Sequence, residues 1–284
     1  MKISETTLAV GQFRWFYRQI QPSSPGSFPP VVLLHGLPAQ SLCWTGVMPL
    51  LAQKGFTAIA PDWLGFGFSD KPDRREFAYT VTAYEQALGD FLQALELNKI
   101  FLVVQGFLAT VGISYALNHP DQVERLAILN TPVVPPVKLP WPMKQWTLPL
   151  VGDMVTQDPL IIDRTLEGGS GFVISDERLA AYRQPWRKTS AAGRALMAAT
   201  KNLELPTVLP SIGDRLQNQW QQPTCFIWGG LDPWLPVEPI QALVHQNPPW
   251  ELVLLPEAKH YPQEHFPEEV GDALTTFFRR TSLL

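Results

Sequence analysis

The sequence predicts an α/β fold: a mainly parallel, twisted sheet with helices on both faces and an inserted helical cap. Three observations predict it. As far as residue 131, continuously apolar runs alternate with helix-length segments, which is typical of parallel strands covered on both faces. A proline-rich stretch without strand patterns follows, and strand and helix patterns then resume. We therefore predict a core of residues 1–131 and 222–284, and a cap of residues 132–221.

The individual elements follow from local patterns. Residues 6–21 alternate apolar and polar side chains, as half-buried antiparallel strands do, and a turn-rich linker over 21–27 ends this hairpin. Apolar runs predict strands at 30–34, 58–60, 100–104, 125–130, 224–228 and 251–255. Helical spacing predicts helices at 44–54, 81–95, 237–246 and 267–280, with Thr80 or Thr82 capping the second.

Composition excludes several classes of function. The 284 residues carry a net charge of −4 without a basic block, which argues against a nucleic-acid partner. Cys43 and Cys225 lie in apolar surroundings, which favours buried free thiols over a disulfide or a thiol catalyst. The first residues lack the apolar region of a signal peptide, and no apolar run approaches a membrane span of about eighteen residues. We expect a cytoplasmic protein, with peripheral membrane association left open.

The chain is organised around residues 99–120. A buried strand runs into the tight turn Gln105-Gly106-Phe107, and an apolar-periodic helix follows. A strand that enters a helix through so sharp a turn has the form of a nucleophile elbow. The position of the nucleophile holds Gly106, which has no side chain and therefore excludes a covalent intermediate there.

Four further motifs follow predicted strands: LHGLP at 34–38, PDWLGFGFSDKP at 61–72, WGGLDPWLP at 228–236 and AKHYPQE at 258–264. With the turn, and in this order, they resemble the α/β-hydrolase superfamily over essentially the whole chain outside the cap. The closest likeness is to the branch of haloalkane dehalogenases and epoxide hydrolases. The VQGF form of the turn also resembles a cyanobacterial and plastid branch.

The resemblance implies a catalytic site. Asp232 matches the triad acid and His260 the triad base, whose imidazole the carboxylate would orient and stabilise when protonated. Gly106 takes the nucleophile position. Asp232 also fits a turn residue, and a buried pair can persist because losing one partner leaves the other unsatisfied. Whether the pair is still in use or vestigial therefore stays open.

The remaining site residues come from loops and the cap. The backbone amides of Leu37 and Phe107 match an oxyanion hole, which no side-chain change removes. We expect His35, Gly36, Trp63, Trp141 and Trp146 to line the pocket. For the two cap tryptophans, the alternative is an exposed patch for a protein, a membrane surface or a hydrophobic ligand.

The sequence departs from both enzymes of the branch. Dehalogenases bind halide with an Asn after the His-Gly pair and a Trp after the nucleophile, where this chain has Leu37 and Phe107. Epoxide hydrolases need an Asp nucleophile and cap tyrosines, and this cap contains only Tyr182. Neither activity is therefore predicted.

Other polar residues have simpler interpretations. Asp62 and Asp70 are expected to bond loop backbone. No metal-ligand spacing or phosphate-binding loop is present, so we predict neither a metal nor a cofactor. Surface or helix-end positions are expected for His119, His245 and His265. A solvated helix face, or else a docking surface for an acidic partner, is expected for Arg178, Arg183, Arg187, Lys188 and Arg194.

The sequence thus predicts a hydrolase-fold protein that lacks the nucleophile and binds a small apolar molecule or a protein partner. The alternative is a non-covalent hydrolase or lyase acting on an ester- or epoxide-like small molecule. In that case the Asp232–His260 pair acts as general base beside the backbone oxyanion hole.

Overall fold

The computed structural model describes residues 1–24 and 26–280. Pro25 of the predicted linker and residues 281–284 of the predicted core lie outside the described residues. Within them the strands are β1 Ser4–Val10, β2 Phe13–Ile20, β3 Val31–Leu34, β4 Ala58–Pro61, β5 Ile100–Gln105, β6 Val123–Leu129, β7 Thr224–Gly229 and β8 Glu251–Leu255. They form one sheet in the order β1-β2-β4-β3-β5-β6-β7-β8.

The sheet confirms the predicted fold class. β1 pairs with β2 and β2 with β4 in antiparallel fashion, and every later pair of neighbours is parallel. Every residue of β3, β4, β5 and β7 is buried, as their unbroken apolar sequences predict for strands covered on both faces.

The helices of the core are α1 Val47–Gln53, α2 Val81–Ala94, α3 Thr110–Asn118, α10 Glu238–Gln246, α11 Pro262–His265 and α12 Pro267–Arg279. α1 packs against α12, and α2 packs against α3. The side chain of Thr80 accepts a hydrogen bond from the amide of Ala83 and so caps α2. Of the two predicted caps, Thr80 is the one that forms.

Between β6 and β7 the described chain is helical: α4 Trp141–Lys144, α5 Val151–Thr156, α6 Leu160–Ser170, α7 Asp176–Lys188, α8 Ala191–Asn202 and α9 Leu205–Asn218. We refer to this segment as the cap. The division of the chain at residues 132 and 221 stays a prediction. The cap reaches the core directly, because the carbonyl of Gly169 accepts a hydrogen bond of 3.0 Å from the amide of His260.

The parallel strands bring distant residues to one edge of the sheet. His35 follows β3, Gly106 follows β5 and Asn130 follows β6. Asp232 lies three residues beyond β7, and His260 lies in the loop after β8. Because the carboxyl ends of parallel strands lie at the same edge, these loops meet there, where ligands of open α/β sheets bind.

Both cysteines are free and buried, as predicted. Burial raises the pKa of the Cys43 thiol, and it raises that of Cys225 to about 12. Neither thiol is therefore a reactive thiolate at neutral pH. Among the described helices, none has the length and apolarity needed to cross a bilayer.

Candidate active site

The structure joins Asp232 and His260 in a buried pair. Nδ1 of His260 lies 2.8 Å from Oδ2 of Asp232, and both side chains are fully buried. Oδ1 of Asp232 accepts hydrogen bonds from the amides of Trp234, at 2.8 Å, and Leu235, at 3.1 Å. Because a carboxylate oxygen accepts, Nδ1–H of the imidazole donates to Oδ2, and Nε2 lies on the side of the ring away from Asp232.

Asn130 is a further member of this site, which the sequence analysis did not identify. Its Nδ2 donates to Oδ2 of Asp232 at 2.7 Å, and its Oδ1 accepts from the amide of Gly229 at 2.9 Å. Asn130 is fully buried and has a φ of 39°, which Asn tolerates better than most residues. The signal in the sequence was an Asn directly after a buried strand.

Gly106 lies in front of the imidazole. Its φ of +80° falls in the left-handed region that favours glycine. A Cβ placed on Gly106 would lie 3.6 Å from Nε2 of His260 and 3.0 Å from Cα of Gly36. Nε2 is buried and has no hydrogen-bond partner among the described residues. The base thus faces a residue that presents only backbone.

Gln105, the residue before this turn, ties the turn to the histidine loop. Its Nε2 donates to the carbonyl of His260 at 2.8 Å, and its Oε1 accepts from Gln263 at 3.0 Å. Gln105 and Gln263 are both buried. The backbone at residue 106 is therefore fixed relative to the histidine loop by side chains of β5 and α11.

Two backbone amides lie beside Gly106. The N–H groups of Leu37 and Phe107 have no acceptor within residues 1–24 and 26–280. Gly36 packs so closely on the turn that a Cβ on it would lie 2.7 Å from Cα of Gly106. The hydroxyl of Tyr261 donates to the carbonyl of Leu37 at 2.8 Å. The chain therefore holds the Leu37 loop against the turn.

Aromatic rings enclose the imidazole. The ring centroids of Trp234, Tyr261 and Phe107 lie 4.6, 4.8 and 5.4 Å from that of His260. Trp234 also lines a cavity of about 290 Å³, together with residues that include Thr131, Trp228 and Leu235. The surroundings of the base are thus apolar and closed to solvent.

His35 and Trp63 bond to each other. The amide of Trp63 donates to Nε2 of His35 at 3.2 Å, and its indole donates to the His35 carbonyl at 2.9 Å. Both side chains are fully buried, and burial lowers the pKa of His35. These bonds join the loops after β3 and β4. The lining role of His35, Gly36 and Trp63 stays a prediction.

The cap tryptophans occupy different environments. The side chain of Trp141 is 64% exposed, whereas Trp146 is 1% exposed and lies within the cap. The surface position of Trp141 fits the alternative of an exposed patch rather than packing at the pocket. Trp146 packs inward with Met143, which is also fully buried.

Asp62 bonds the backbone of its loop, as predicted, whereas Asp70 bonds Arg14 of the neighbouring strand β2. Oδ1 and Oδ2 of Asp62 accept from the amides of Ser41, at 2.7 Å, and Phe68, at 2.8 Å. Oδ2 of Asp70 accepts from the amide of Arg14 at 2.9 Å. Both carboxylates are thus used in supporting the glycine-rich loop.

The expectation of a solvated basic face was wrong for Arg178. Its guanidinium forms an ion pair with Glu264, whose side chain is 3% exposed, and donates to the carbonyl of Leu42 at 3.0 Å. The hydroxyl of Tyr182 donates to the same carboxylate at 2.7 Å. A buried carboxylate requires such partners, and here they come from the cap.

The other basic and histidine positions agree better with expectation. Arg183 pairs at 3.5 Å with Asp163 and is half-buried. Exposed positions, as predicted, are found for Arg187, Lys188, Arg194, His119 and His245. His265 ends α11, half-buried against Phe172. Across 1–24 and 26–280, no three His, Cys, Asp or Glu side chains are placed to hold a metal ion.

Fold and site together define the class of protein. A buried Asp–His pair after β7 and β8 faces the turn between β5 and α3, beneath helices inserted after β6. This is the architecture of an α/β hydrolase. A model of the α/β hydrolase fold matches residues 29–267, and the chain belongs to that family.

The relatives of this chain include a haloalkane dehalogenase. Haloalkane dehalogenase 2 of Mycobacterium tuberculosis is 27% identical over 290 residues, covering 93% of this chain and 94% of that protein. An uncharacterised protein of the same species is 30% identical over 270 residues, covering 90% of this chain and 77% of that protein.

The solved structures agree. The haloalkane dehalogenase DbeA of Bradyrhizobium elkani superposes with a TM-score of 0.85 at 24% identity, covering 98% of both chains. Cfl2 of Burkholderia cenocepacia superposes with a TM-score of 0.82 at 20% identity, and the match covers 98% of this chain and 96% of that one. The chain, a member of the α/β hydrolase family, is therefore similar over nearly its whole length to haloalkane dehalogenases.

Proposed function

We propose that this chain is a hydrolase-fold binding protein that forms no covalent intermediate. Its retained centre binds a small molecule with an apolar body and one polar acceptor atom. The observation that carries the proposal is the relation of His260 to Gly106: a buried, oriented base faces a residue without a side chain. Covalent catalysis needs a nucleophilic side chain there.

The acceptor atom follows from the two amides. The N–H groups of Leu37 and Phe107 are held beside Gly106 and have no acceptor in the described part of the chain. An unpaired buried donor is unfavourable by about 1–3 kcal/mol, so a carbonyl or carboxylate oxygen bound there is stabilised by two hydrogen bonds.

The apolar body follows from the rings around the base. Phe107, Trp234 and Tyr261 offer carbon surface, and the side chains of Asp232 and His260 are fully buried. A protein partner cannot reach such groups from outside, whereas a small molecule can occupy space next to them. Trp234, whose ring packs on the imidazole, also lines a cavity of about 290 Å³.

Dehalogenation, the activity in the names of several relatives, does not fit these residues. Leu37 and Phe107 stand where the resemblance implies the halide-binding Asn and Trp. Neither side chain has an N–H group that could donate to a halide ion. The alkylated intermediate would also need a nucleophile at residue 106.

One observation favours a second candidate function. Nε2 of His260 is unpaired, and Nδ1 is held by Asp232, which stabilises a protonated ring. This arrangement suits a general base that removes a proton from water or from the substrate. Hydrolysis or elimination without a covalent intermediate is that candidate.

The experiment is turnover of esters, epoxides and haloalkanes, combined with equilibrium binding of the same compounds measured by tryptophan fluorescence. We expect the wild type to bind an aromatic ester or ketone without turnover, and His260→Ala to weaken that binding. His245→Ala removes an exposed histidine and is the matched control. Wild-type turnover that His260→Ala abolishes and His245→Ala retains would establish the second candidate instead.

Gly106→Ser adds a separate measurement. The new hydroxyl would project from a Cβ that lies 3.6 Å from Nε2, within reach of the base. Ester hydrolysis gained by this variant would show that the base and the backbone donors are competent, and that residue 106 alone prevents covalent catalysis. A variant that folds and binds the ester but stays inactive would count against a retained oxyanion hole.

A further inference from the structure

The first part of the cap exposes an unusual amount of apolar surface. Between residues 141 and 160, five large apolar side chains are exposed: Trp141, Leu150, Val151, Met154 and Leu160, with Leu150 at 83% and Met154 at 79%. We call these five residues the apolar patch. Single exposed apolar residues are ordinary, but a group of them on adjoining elements marks an interaction surface.

The patch is built on helices that pack together. α4 and α5 both contact the short 3-10 turn Gln145–Thr147 that lies between them. The amide of Met154 donates to the carbonyl of Leu150 at 3.2 Å. These two residues are therefore one helical turn apart and share a face. Met143 and Trp146 anchor the same segment from within, since both are fully buried.

Leu150 is held in an unfavourable conformation. Its φ of +62° is uncommon for a residue with a branched side chain. The same residue is among the most exposed apolar residues of the described chain. Strain and exposure thus coincide at one leucine, as is typical of residues kept for an interaction rather than for packing.

One lysine, Lys144, lies beside the patch, and two further lysines share a cavity with it. Lys138, Lys144 and Lys201 line one cavity of about 440 Å³, whose other walls include the apolar side chains of Leu139 and Leu205. Lys144 lies one turn after Trp141 on α4, so the two share a face. Glu204 is the acidic residue of this cavity, and Asp153 is exposed on α5. The cluster remains locally basic in a chain of net charge −4.

We propose that the apolar patch and these three lysines dock on a lipid bilayer that contains anionic lipid. Tryptophan, leucine and methionine side chains enter the boundary between head groups and acyl chains, and lysines beside them pair with anionic head groups. A second copy of the chain fits less well, because a two-fold interface would bring the same lysine clusters together. The proposed function of the site near His260 is independent of this surface.

The test is cosedimentation of the full chain with phosphatidylcholine vesicles, with and without phosphatidylglycerol. We expect binding to the anionic vesicles that falls at high salt, and little binding to the neutral ones. Replacing Lys138, Lys144 and Lys201 by Gln should lower the partition coefficient about fivefold per residue. The double variant Leu150→Ser, Met154→Ser should lower it at least about tenfold.

Leu254→Ser is the matched control, since Leu254 is an exposed apolar residue of the edge strand β8, outside the cap. It should bind anionic vesicles as the wild type does. Circular dichroism establishes that each variant is folded. Equal binding of the wild type to neutral and anionic vesicles, or no binding to either, would overturn the proposal. So would a dimer in sedimentation velocity that the Leu150 and Met154 variant dissociates.

Discussion

Nε2 of His260 lies 3.6 Å from the point at which a side chain on Gly106 would begin. The imidazole is oriented by Asp232, buried, and unpaired on the nitrogen that faces the turn. A buried, oriented imidazole thus faces a position that offers no side chain. The fold positions and orients the imidazole, and the glycine at 106 leaves no side chain for it to act on.

Gly106→Ala should lower the free energy of unfolding by about 1–3 kcal/mol. Its φ of +80° strains any residue with a Cβ, and that Cβ would lie only 3.0 Å from Cα of Gly36. Urea denaturation measures the change. The control is Gly168→Ala in α6, where no heavy atom lies within 4 Å of the added Cβ. The free energy of unfolding of Gly168→Ala should be about 0.5–1 kcal/mol higher than that of the wild type. Equal stability of Gly106→Ala and wild type would contradict the expected strain.

Gly169→Ala should disturb the contact between the cap and the site. An added Cβ would lie 2.5 Å from the rings of both Trp234 and Tyr261, and the Gly169 carbonyl accepts from the amide of His260. The rings must move, so we expect lower stability and a shifted tryptophan emission spectrum. The neighbouring Gly168→Ala should leave the spectrum unchanged. An unaltered spectrum for Gly169→Ala would mean that α6 does not press on the indole.

Asn130→Asp should make stability depend on pH in a defined direction. The new carboxylate would lie against Asp232, whose Oδ2 is 2.7 Å from Nδ2 of Asn130. Two adjacent carboxylates raise the folded-state pKa of one of them above its unfolded value. The folded variant then binds a proton that the unfolded chain does not. Its stability should therefore be lowest above the raised pKa and increase as the pH falls through it.

The measurement is urea denaturation of Asn130→Asp between pH 8 and pH 5. Asn130→Ala loses the same hydrogen bond without adding a charge, and is the control. We expect the free energy of unfolding of Asn130→Ala to be about 1–3 kcal/mol below that of the wild type. This difference should stay the same as the pH falls. If the free energy of unfolding of Asn130→Asp also differs from that of the wild type by the same amount at every pH, the two carboxylates do not interact.

Most of the fold could be predicted from the sequence. Strands that are buried on both faces are largely apolar, as β5 is from Ile100 to Val104. The loop motifs follow these strands in order. The pairing of Asp232 with His260 is likewise where the resemblance placed it, and the burial of both cysteines followed from their apolar surroundings.

The rest depended on contacts between distant segments. Asn130 joins the site only because β6 and β7 are neighbours in the sheet. The sequence predicts a solvated helix face, or a docking surface, for Arg178. Glu264, its partner, lies far away in the sequence. Local patterns report on periodicity and composition, and they cannot show which face of the cap meets which loop of the core.

Glu264→Gln should loosen the cap. Glu264 is 3% exposed and accepts from Arg178 and Tyr182 of α7. Removing its charge leaves the guanidinium with neutral acceptors only. Because the Arg178 side chain is 30% exposed and stays partly hydrated, we expect a loss of about 1–3 kcal/mol, less than for a fully buried pair. Hydrogen exchange should increase in α7 more than in α2. Lys99→Met, which removes an exposed ion pair with Glu124, should change stability by less than about 1 kcal/mol. Unchanged exchange in α7 would show that this ion pair does not hold the cap.

The stability of the wild type should fall as the pH decreases below about 6.5, in part because of His35. Burial lowers the folded-state pKa of His35, whose Nε2 accepts from the amide of Trp63. The unfolded chain, with a histidine pKa of about 6.5, then binds a proton that the folded chain does not. The contribution of His35 is thus complete above pH 6.5. Below it, that contribution decreases by up to about 1.4 kcal/mol per pH unit.

His35→Gln can keep an acceptor near Trp63 but has no group that titrates in this range. Urea denaturation between pH 8 and pH 5 should therefore show a smaller slope for the variant than for wild type. Burial also lowers the pKa of His265, so His35→Gln combined with His265→Gln should reduce the slope further. If His35→Gln retains the full wild-type slope, the folded protein accommodates a protonated His35. The hydrogen bond from Trp63 would then not fix the neutral ring.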